Sequence, residues 1–336
     1  MHGNQERTTG GAGGTGKRPD GGAGSRAVLL PAILLPVMLL GLPLAGAAAA
    51  GHDLSRYLEF PPLTRYVEHR GFSWPVFWVV AAENLLLLAP LVAALLRGRR
   101  QPAADRASRR LPWWGWVALG ALFATWVLAW NRFEWFAPLQ PYTFTPLWLS
   151  FVVLLNAFTY RRSGHCLLLD QTGRFLLLFP ASAVFWWFFE YLNRYVQNWY
   201  YVGAETFTPS TYVLHASLSF STVLPAVLSM MQLLGTVPSL SGGARNAFPV
   251  LIPKARLAAA AVLTGSAIGL AGIGMLPDLL FPLLWVSPML IVLSVQCLAG
   301  SETVLSPLAR GDWRPLVLPA AAALLCGVFW ELWNVY

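Results

Sequence analysis

Long apolar runs are the feature that most limits what this chain can fold into. Nine stretches of mostly hydrophobic residues each approach the ~20 residues that cross the ~30 Å hydrocarbon core of a bilayer. Because lipid offers the backbone no hydrogen-bond partner, runs of this length are expected to be helices. The sequence therefore predicts an all-α polytopic transmembrane bundle of about nine spans, at residues 27–50, 73–96, 112–131, 145–160, 175–196, 211–234, 257–275, 279–299 and 315–336.

Composition supports one membrane domain over residues 27–336. Of the 336 residues 56% are hydrophobic and 11% charged, whereas a soluble domain usually carries about 25% charged residues. The net charge of +8 comes from short basic clusters between the runs. Such clusters are typical of topology signals and not of a nucleic-acid surface. The predicted partners are membrane lipids, with no nucleic acid, and the sequence does not identify which protein partners the chain has.

The basic residues also predict an orientation. Of the 23 basic residues, the following five fall on one side of the alternating spans: Arg56, Arg65, Arg70, Arg132 and Arg194. All others fall on the opposite side, and Lys and Arg accumulate in short cytoplasmic segments. We therefore predict a cytoplasmic N-terminus and an outside C-terminus. The excess of Arg over Lys, with much Ala, Gly and Pro, favours a bacterial inner membrane.

The two ends of the chain carry separate expectations. Residues 1–26 are rich in Gly and poor in large apolar side chains, which is typical of a disordered tail. Residues 27–50 predict a retained first helix, and a signal peptide cut near its Ala cluster is the alternative. Prolines inside the runs, such as Pro90 and Pro225, indicate kinks and not helix ends.

Three of the runs share a layout that predicts a site at the outer boundary. Each begins with Arg, has Pro in its first turns, and ends about 20 residues later on an aromatic-rich segment with Asn, at Asn131, Asn193 or Asn334. At 1.5 Å per residue the three Asn lie at a similar depth. Glu190 and Glu331 each precede such an Asn by three residues, which places carboxylate and amide on one helix face. Ionisable groups in a span are costly and often functional, so these two Glu are the predicted acid and base.

Other polar and aromatic side chains at the same boundary are candidates for binding a substrate. The full set is Asn193, Asn334, Asn131, Arg132, Glu134, Arg194, His215, Trp187 and Trp330. Two alternatives stay open, because an Arg paired with a Glu makes a structural cluster and Trp, Tyr and Asn collect naturally at membrane interfaces. Glu83 and Asn84, near the middle of the second run, form a secondary candidate.

The sequence contains few of the motifs that indicate a metal or cofactor site. The five His show no HxxH or HExxH spacing, and the three Cys show no CxxC spacing, so no metal site is predicted. The chain has no Walker loop, dinucleotide fingerprint or GxSxG elbow, and no cofactor is predicted.

Two segments resemble an uncharacterised family of bacterial multi-pass membrane proteins. They are the stretch around Phe185-Trp186-Trp187-Phe188-Phe189-Glu190 and the ending Phe329-Trp330-Glu331-Leu332-Trp333-Asn334. The likeness extends over about the third to ninth runs and implies no known activity. In that family further aromatic segments follow the second motif, so the resemblance implies that the chain is truncated at Tyr336.

Three classes of function follow from these observations. An enzyme acting on an amphiphilic or lipid-linked substrate would use Glu190 and Glu331 near the headgroup layer. A small-solute transporter would need polar residues through the bilayer, where Glu83 is the one charged candidate. A noncatalytic scaffold or assembly factor would use the aromatic ends for docking. The concentration of polar residues at one face favours the first class.

Overall fold

The structure is a computed structural model that describes residues 21–98, 109–202 and 206–334, and all regular structure in these ranges is helical. Two 3₁₀ segments lie at Glu134–Tyr142 and Ser306–Arg310. The α-helices are α1 (Gly21–Ala49), α2 (Ser55–Leu58), α3 (Trp74–Gly98), α4 (Trp113–Trp130), α5 (Phe144–Ser163), α6 (Leu167–Asp170), α7 (Thr172–Val196), α8 (Pro209–Phe220), α9 (Val223–Gly235), α10 (Pro238–Gly243), α11 (Ala255–Gly272), α12 (Pro277–Leu298) and α13 (Arg314–Asn334).

Seven helices of the described ranges are long and apolar enough to cross a membrane, with α8 and α9 counted together. The all-helical fold predicted from the sequence is thereby confirmed for the described residues, and these seven helices have the length and apolar composition that the prediction requires. An eighth candidate is α5 taken with the 3₁₀ segment before it, to which it is bent by 68°. In α1 the described apolar part, Leu34–Ala49, is shorter. The predicted tail lies outside the described residues up to residue 20, and α1 begins at Gly21.

Two large apolar clusters share α7. The first joins α4, α5, α7, α9 and α13 around Trp148, Phe151 and Trp333. The second joins α1, α2, α7, α11 and α12 around Tyr195 and Leu270. The first turns of α7 pack in the first cluster through Phe175, and its last turns pack in the second cluster through Phe189 and Leu192.

A proline interrupts one predicted span. The helical run is broken at Ser221 and Thr222 between α8 and α9, because Pro225 has no N–H to donate to the carbonyl four residues earlier. Ser182 of α7 bridges the break: its hydroxyl donates to the Phe220 carbonyl at 2.5 Å and accepts from the Leu224 N–H at 3.0 Å. Pro90 and Pro180, in contrast, lie inside continuous helices.

Helix α3 is the least covered helix among the seven. Only 6% of its apolar window is buried, and it contacts α10 and α13. Its last turns pack closely, with Arg97 Nε donating to the Gly243 carbonyl at 3.1 Å. Most of the length of α3 therefore presents side chains that no described residue covers.

The bundle has two chemically different ends. The last turns of α7 and α13 lie at one end with the first turns of α5, where Trp330 contacts both Trp186 and Phe144; we call this the aromatic end. The first turns of α7 and α13 lie at the other end with the last turn of α5, and Arg162, Arg174 and Arg314 belong to these turns. We call this the basic end.

Candidate functional site

Glu190, near the end of α7, is a buried carboxylate at the aromatic end. Its side chain is 6% exposed. One oxygen, Oε1, accepts three hydrogen bonds, from Trp186 Nε1 at 3.1 Å, Trp199 Nε1 at 2.8 Å and the Tyr201 hydroxyl at 2.6 Å. Buried polar groups need such partners, and here all three donors hold the same atom. The other oxygen, Oε2, has no hydrogen-bond partner among the described residues.

The turn after α7 explains how two of these donors reach Glu190. Gln197 ends the helix in the left-handed conformation, with φ of 48°, so the chain reverses direction. The Asn193 amide fixes the reversal by accepting from the Asn198 N–H at 2.9 Å and donating to the Trp199 carbonyl at 2.8 Å. Trp199 and Tyr201 are thus folded back onto the last turns of the helix that carries Glu190.

An extended segment from the loop between α2 and α3 covers this turn. The Gln197 amide accepts from the backbone N–H groups of Tyr66 at 2.8 Å and Val67 at 2.9 Å, and it donates to the Thr64 carbonyl at 2.9 Å. Further along, His69 Nδ1 lies 2.6 Å from an Asp278 carboxylate oxygen. We refer to residues 59–69 as the covering loop. It is fastened by residues more than a hundred positions away in the sequence.

Arg194 forms a second fastening for the covering loop. Its guanidinium lies 3.2 Å from a Glu59 carboxylate oxygen and donates to the Arg56 carbonyl at 2.6 Å. The Tyr66 hydroxyl donates to the Arg194 carbonyl. Arg194 is 8% exposed, so this pair is more shielded than an ordinary surface ion pair.

A cavity of about 250 Å³ lies between the covering loop and the end of α7. Carboxylate, amide, guanidinium, imidazole and phenol groups line it together with apolar side chains. Glu190 is one of the lining residues, and its Oε2 is the oxygen without a hydrogen-bond partner among the described residues. The lining residues are Pro62, Leu63, Thr64, Arg65, Val67, His69, Glu190, Asn193, Arg194, Gln197, Trp199, Tyr200, Tyr201 and Tyr212.

Three titratable groups in or beside the covering loop and the turn after α7 have shifted pKa values. Burial and the neighbouring Glu190 carboxylate raise the pKa of Tyr201, and burial raises the pKa of Tyr66 to about 12, so both phenols stay neutral donors. A hydrogen bond from Thr64 lowers the pKa of Glu59. A lowered pKa means that the ionised Glu59 contact stabilises the folded loop at neutral pH and is lost as the pH falls through that lowered value.

The Arg65 guanidinium lies 3.6 Å over the Tyr200 ring, where it is attracted to the π face.

Three of the residues predicted from the sequence line this cavity. They are Glu190, Asn193 and Arg194. Trp187 lies beside it, with its ring packed on Tyr212 and its Nε1 donating to the Ser217 hydroxyl at 2.9 Å. Asn193 and Arg194 are engaged by the backbone or by Glu59, so their first role is to build the site.

The remaining predicted residues lie elsewhere. The side chains of Glu331 and Asn334 are exposed and make no hydrogen bond or ion pair within the described ranges. Glu331 does not line the cavity, so the structure does not bring the two predicted carboxylates together there. Trp330 belongs to the first apolar cluster, and His215 is stacked on the Tyr142 ring at 4.6 Å.

The segment after α4 is also separate from the cavity. Asn131, Arg132 and Glu134 are exposed. The Asn131 amide donates to the Val127 carbonyl of its own helix at 2.7 Å, and Arg132 has a φ of 38°. The Asn131 hydrogen bond and the left-handed backbone at Arg132 are both typical of a helix end.

Several residues of the site have no signal in the helix pattern. Glu59, Tyr66 and Gln197 contribute through contacts across the sequence. The density of aromatic residues at the end of α7 and after it is the one local signal in the sequence for Trp199 and Tyr201. No group of three or more His, Cys, Asp or Glu that could hold a metal ion occurs within the described residues.

Gln197 offers a direct test of how the covering loop is held. We expect Gln197→Gly to raise amide hydrogen exchange at Tyr66 and Val67 roughly fivefold, because each loses a hydrogen bond worth about 1 kcal/mol. Glycine keeps the left-handed helix end without strain. The control Asn198→Ala removes a neighbouring exposed amide. Equal exchange rates in the two variants would show that Gln197 does not fasten the loop.

Comparisons with protein-family models, with curated proteins and with solved structures found no match for this chain. The resemblance of the two aromatic motifs to a bacterial membrane protein family therefore stays a prediction.

Proposed function

We propose that the chain is a multi-pass protein of a bacterial inner membrane, with nine spans, a cytoplasmic N-terminus and its aromatic end outside. The distribution of basic residues supports this orientation, because the first turn of α7 and the last turn of α5 carry Arg174, Arg161 and Arg162. Such clusters are typical of the cytoplasmic side. Trp and Tyr side chains at the opposite end suit an interface with the outer headgroups.

We further propose that the Glu190 cavity binds the polar headgroup of an amphiphilic or lipid-linked substrate and acts on it. One observation carries this proposal: three donors hold Oε1 of Glu190, while Oε2 has no hydrogen-bond partner among the described residues and Glu190 lines a cavity. A carboxylate needed only for packing would be expected to have both oxygens satisfied. A carboxylate fixed by one oxygen presents the other in a defined direction, which is the preorganisation that binding and catalysis require.

The chemistry available to this carboxylate is that of a general base or a hydrogen-bond acceptor. A substrate hydroxyl or ammonium group within about 2.6–3.2 Å of Oε2 would donate to it or lose a proton to it. The neutral Tyr201 phenol donates to the same carboxylate at 2.6 Å and would stabilise its ionised form. The aromatic walls, including Trp199 and Tyr200, favour a cationic or flat apolar part of the substrate. Glu331 has no role in this proposal.

The experiment that tests the proposal compares two isosteric variants in a strain that lacks the protein. We expect Glu190→Gln to reduce restored function by about 100-fold or more, as loss of a general base does, and Glu331→Gln to restore function fully. Both proteins should accumulate in the membrane to the same amount. Full function of Glu190→Gln at normal abundance would refute the proposal.

A noncatalytic scaffold is the second candidate function, and Glu83 favours it. Glu83 is exposed in the apolar helix α3, among exposed Leu side chains, and a carboxylate facing lipid costs about 2.5–3.5 kcal/mol on insertion scales. The spans of this chain carry Lys or Arg only near their ends, so a second copy supplies no cation at that depth. The fitting partner is a transmembrane helix of another protein with Lys or Arg in its middle.

Replacing Glu83 separates partner docking from stability. We expect Glu83→Leu to leave the purified protein at least as stable as the wild type, since it removes a carboxylate from an apolar helix, but to lose function in cells. Thermal unfolding in detergent and restored function in cells are the two measurements. Glu302→Gln, which changes an exposed loop carboxylate, is the control. Normal function of Glu83→Leu would exclude the scaffold role of α3.

A further inference from the structure

A second and larger cavity, of about 440 Å³, lies at the basic end. It is formed by the start of α7, the end of α9 and the start of α13. Its volume is within the range of ~300–1,000 Å³ that is typical of small-molecule sites. None of its lining residues lines the Glu190 cavity, so the two are separate sites.

The wall and rim of this cavity differ in polarity. Leu178, Met231 and Leu318 contribute to an apolar wall, and Gln171 and Arg174 to a polar rim. Arg174 lies in the first turn of α7, and Leu178 follows one turn, about 6 Å, further along the helix. The rim is therefore at the level where the apolar span begins, and the wall extends into the span. This gradient matches a molecule with a polar head and an apolar chain.

The rim carries a positive charge that no described residue neutralises. Arg174 is exposed and makes no hydrogen bond or ion pair with any described residue. Two other cations at this end are engaged, because Arg162 donates to Thr236 and Arg314 pairs with Asp312 at 2.6 Å. No Asp or Glu lines the cavity. The rim therefore attracts an anion and offers no acidic competitor.

Amide groups complete the set of donors. Gln232 lines the cavity and uses its Oε1 to accept from the Leu167 N–H at 2.9 Å, which leaves its NH₂ group as a donor. The side chain of Gln171 makes no hydrogen bond among the described residues. Phosphate oxygens accept readily from guanidinium and amide N–H groups.

We propose that this cavity binds an anionic phospholipid, with the phosphate at Arg174, Gln171 and Gln232 and one acyl chain along the apolar wall. Basic pockets between transmembrane helices on the cytoplasmic side are known to suit anionic headgroups. Charge complementarity selects an anionic lipid over a neutral one. The apolar wall selects a lipid over a free anion.

The test measures lipid binding to the full chain in detergent by native mass spectrometry. The probes are phosphatidylglycerol and phosphatidylcholine with identical acyl chains. We expect the wild type to bind phosphatidylglycerol about tenfold more tightly, because phosphatidylcholine carries a choline cation beside its phosphate. Arg174→Gln should lose that preference, with a smaller loss of phosphatidylcholine binding, because one charge-assisted contact is worth about a factor of ten. Arg256→Gln, which changes an exposed Arg at the start of α11, should keep the preference.

A cavity-filling variant and a competition with inorganic phosphate show whether lipid binding depends on the apolar wall or on the anion alone. Met231→Trp, which fills the apolar wall, should weaken binding of both lipids, and inorganic phosphate should not displace phosphatidylglycerol. The proposal is overturned if Arg174→Gln and Arg256→Gln bind phosphatidylglycerol equally, if phosphate alone displaces the lipid, or if a second copy of the chain occupies the face in place of lipid.

Discussion

Glu190→Ala is expected to lower the free energy of unfolding by about 3–5 kcal/mol. The substitution leaves the Trp186, Trp199 and Tyr201 donors without their common acceptor, and each buried unpaired donor costs about 1–3 kcal/mol. Glu190→Gln keeps an acceptor oxygen of the same shape, and removing a buried charge offsets its weaker hydrogen bonds. Its stability should stay within about 1 kcal/mol of the wild type.

Unfolding in detergent, followed by tryptophan fluorescence, measures these differences. Glu331→Ala is the matched control, because Glu331 is exposed and makes no hydrogen bond within the described ranges, and its stability should not change. If the Ala and Gln variants of Glu190 are equally stable, the three donors do not depend on this carboxylate, and the described geometry of the site is wrong.

Gly46→Ala is expected to cost about 1–3 kcal/mol, whereas Gly41→Ala in the same helix should stabilise by up to about 1 kcal/mol. A Cβ on Gly46 would lie 1.8 Å from the Ala271 carbonyl oxygen of α11, a distance that requires the two helices to separate. A Cβ on Gly41 meets nothing within 4 Å. Small residues let membrane helices approach closely, and α1 and α11 use Gly46 in this way.

The free energy of unfolding is expected to change in opposite directions in the Gly46→Ala and Gly41→Ala variants, so the two variants control for each other. Thermal unfolding of both variants in one detergent gives the comparison, and loss of stability should appear at Gly46 alone. The chain after α1 passes through α2 into the covering loop, so Gly46→Ala should also raise amide exchange at Tyr66. Equal effects at the two positions would contradict the close packing of α1 on α11.

The helices were predictable because their signal is local. Apolar composition over about 20 residues decides membrane compatibility, and the predicted runs at 73–96 and 175–196 correspond closely to α3 and α7. The broken helix at Ser221 was the exception among the prolines. A proline predicts a lost hydrogen bond, but whether the helix bends or breaks depends on partners such as Ser182, which belongs to another helix.

The site was predictable only in part, since burial is decided by distant contacts. Glu190 and Glu331 have the same local pattern of aromatic neighbours and an Asn three residues later. Glu190 is covered because the chain folds back after α7 and because the covering loop is fastened by Gln197, from 131 positions away. Glu331 has no equivalent cover among the described residues. Helix periodicity contains no information about these contacts.

We propose that the protein binds and acts on its substrate in the space between Glu190 and the covering loop. Blocking that space from outside the cell tests it most directly. Leu63 lines the cavity and Leu58 is exposed nearby without lining it, while the native Cys166 and Cys326 are buried. Leu63→Cys and Leu58→Cys proteins, treated in intact cells with a bulky membrane-impermeant maleimide, should both be labelled. We predict that labelling abolishes function for Leu63→Cys and spares it for Leu58→Cys. Full function of the labelled Leu63→Cys protein would contradict the account.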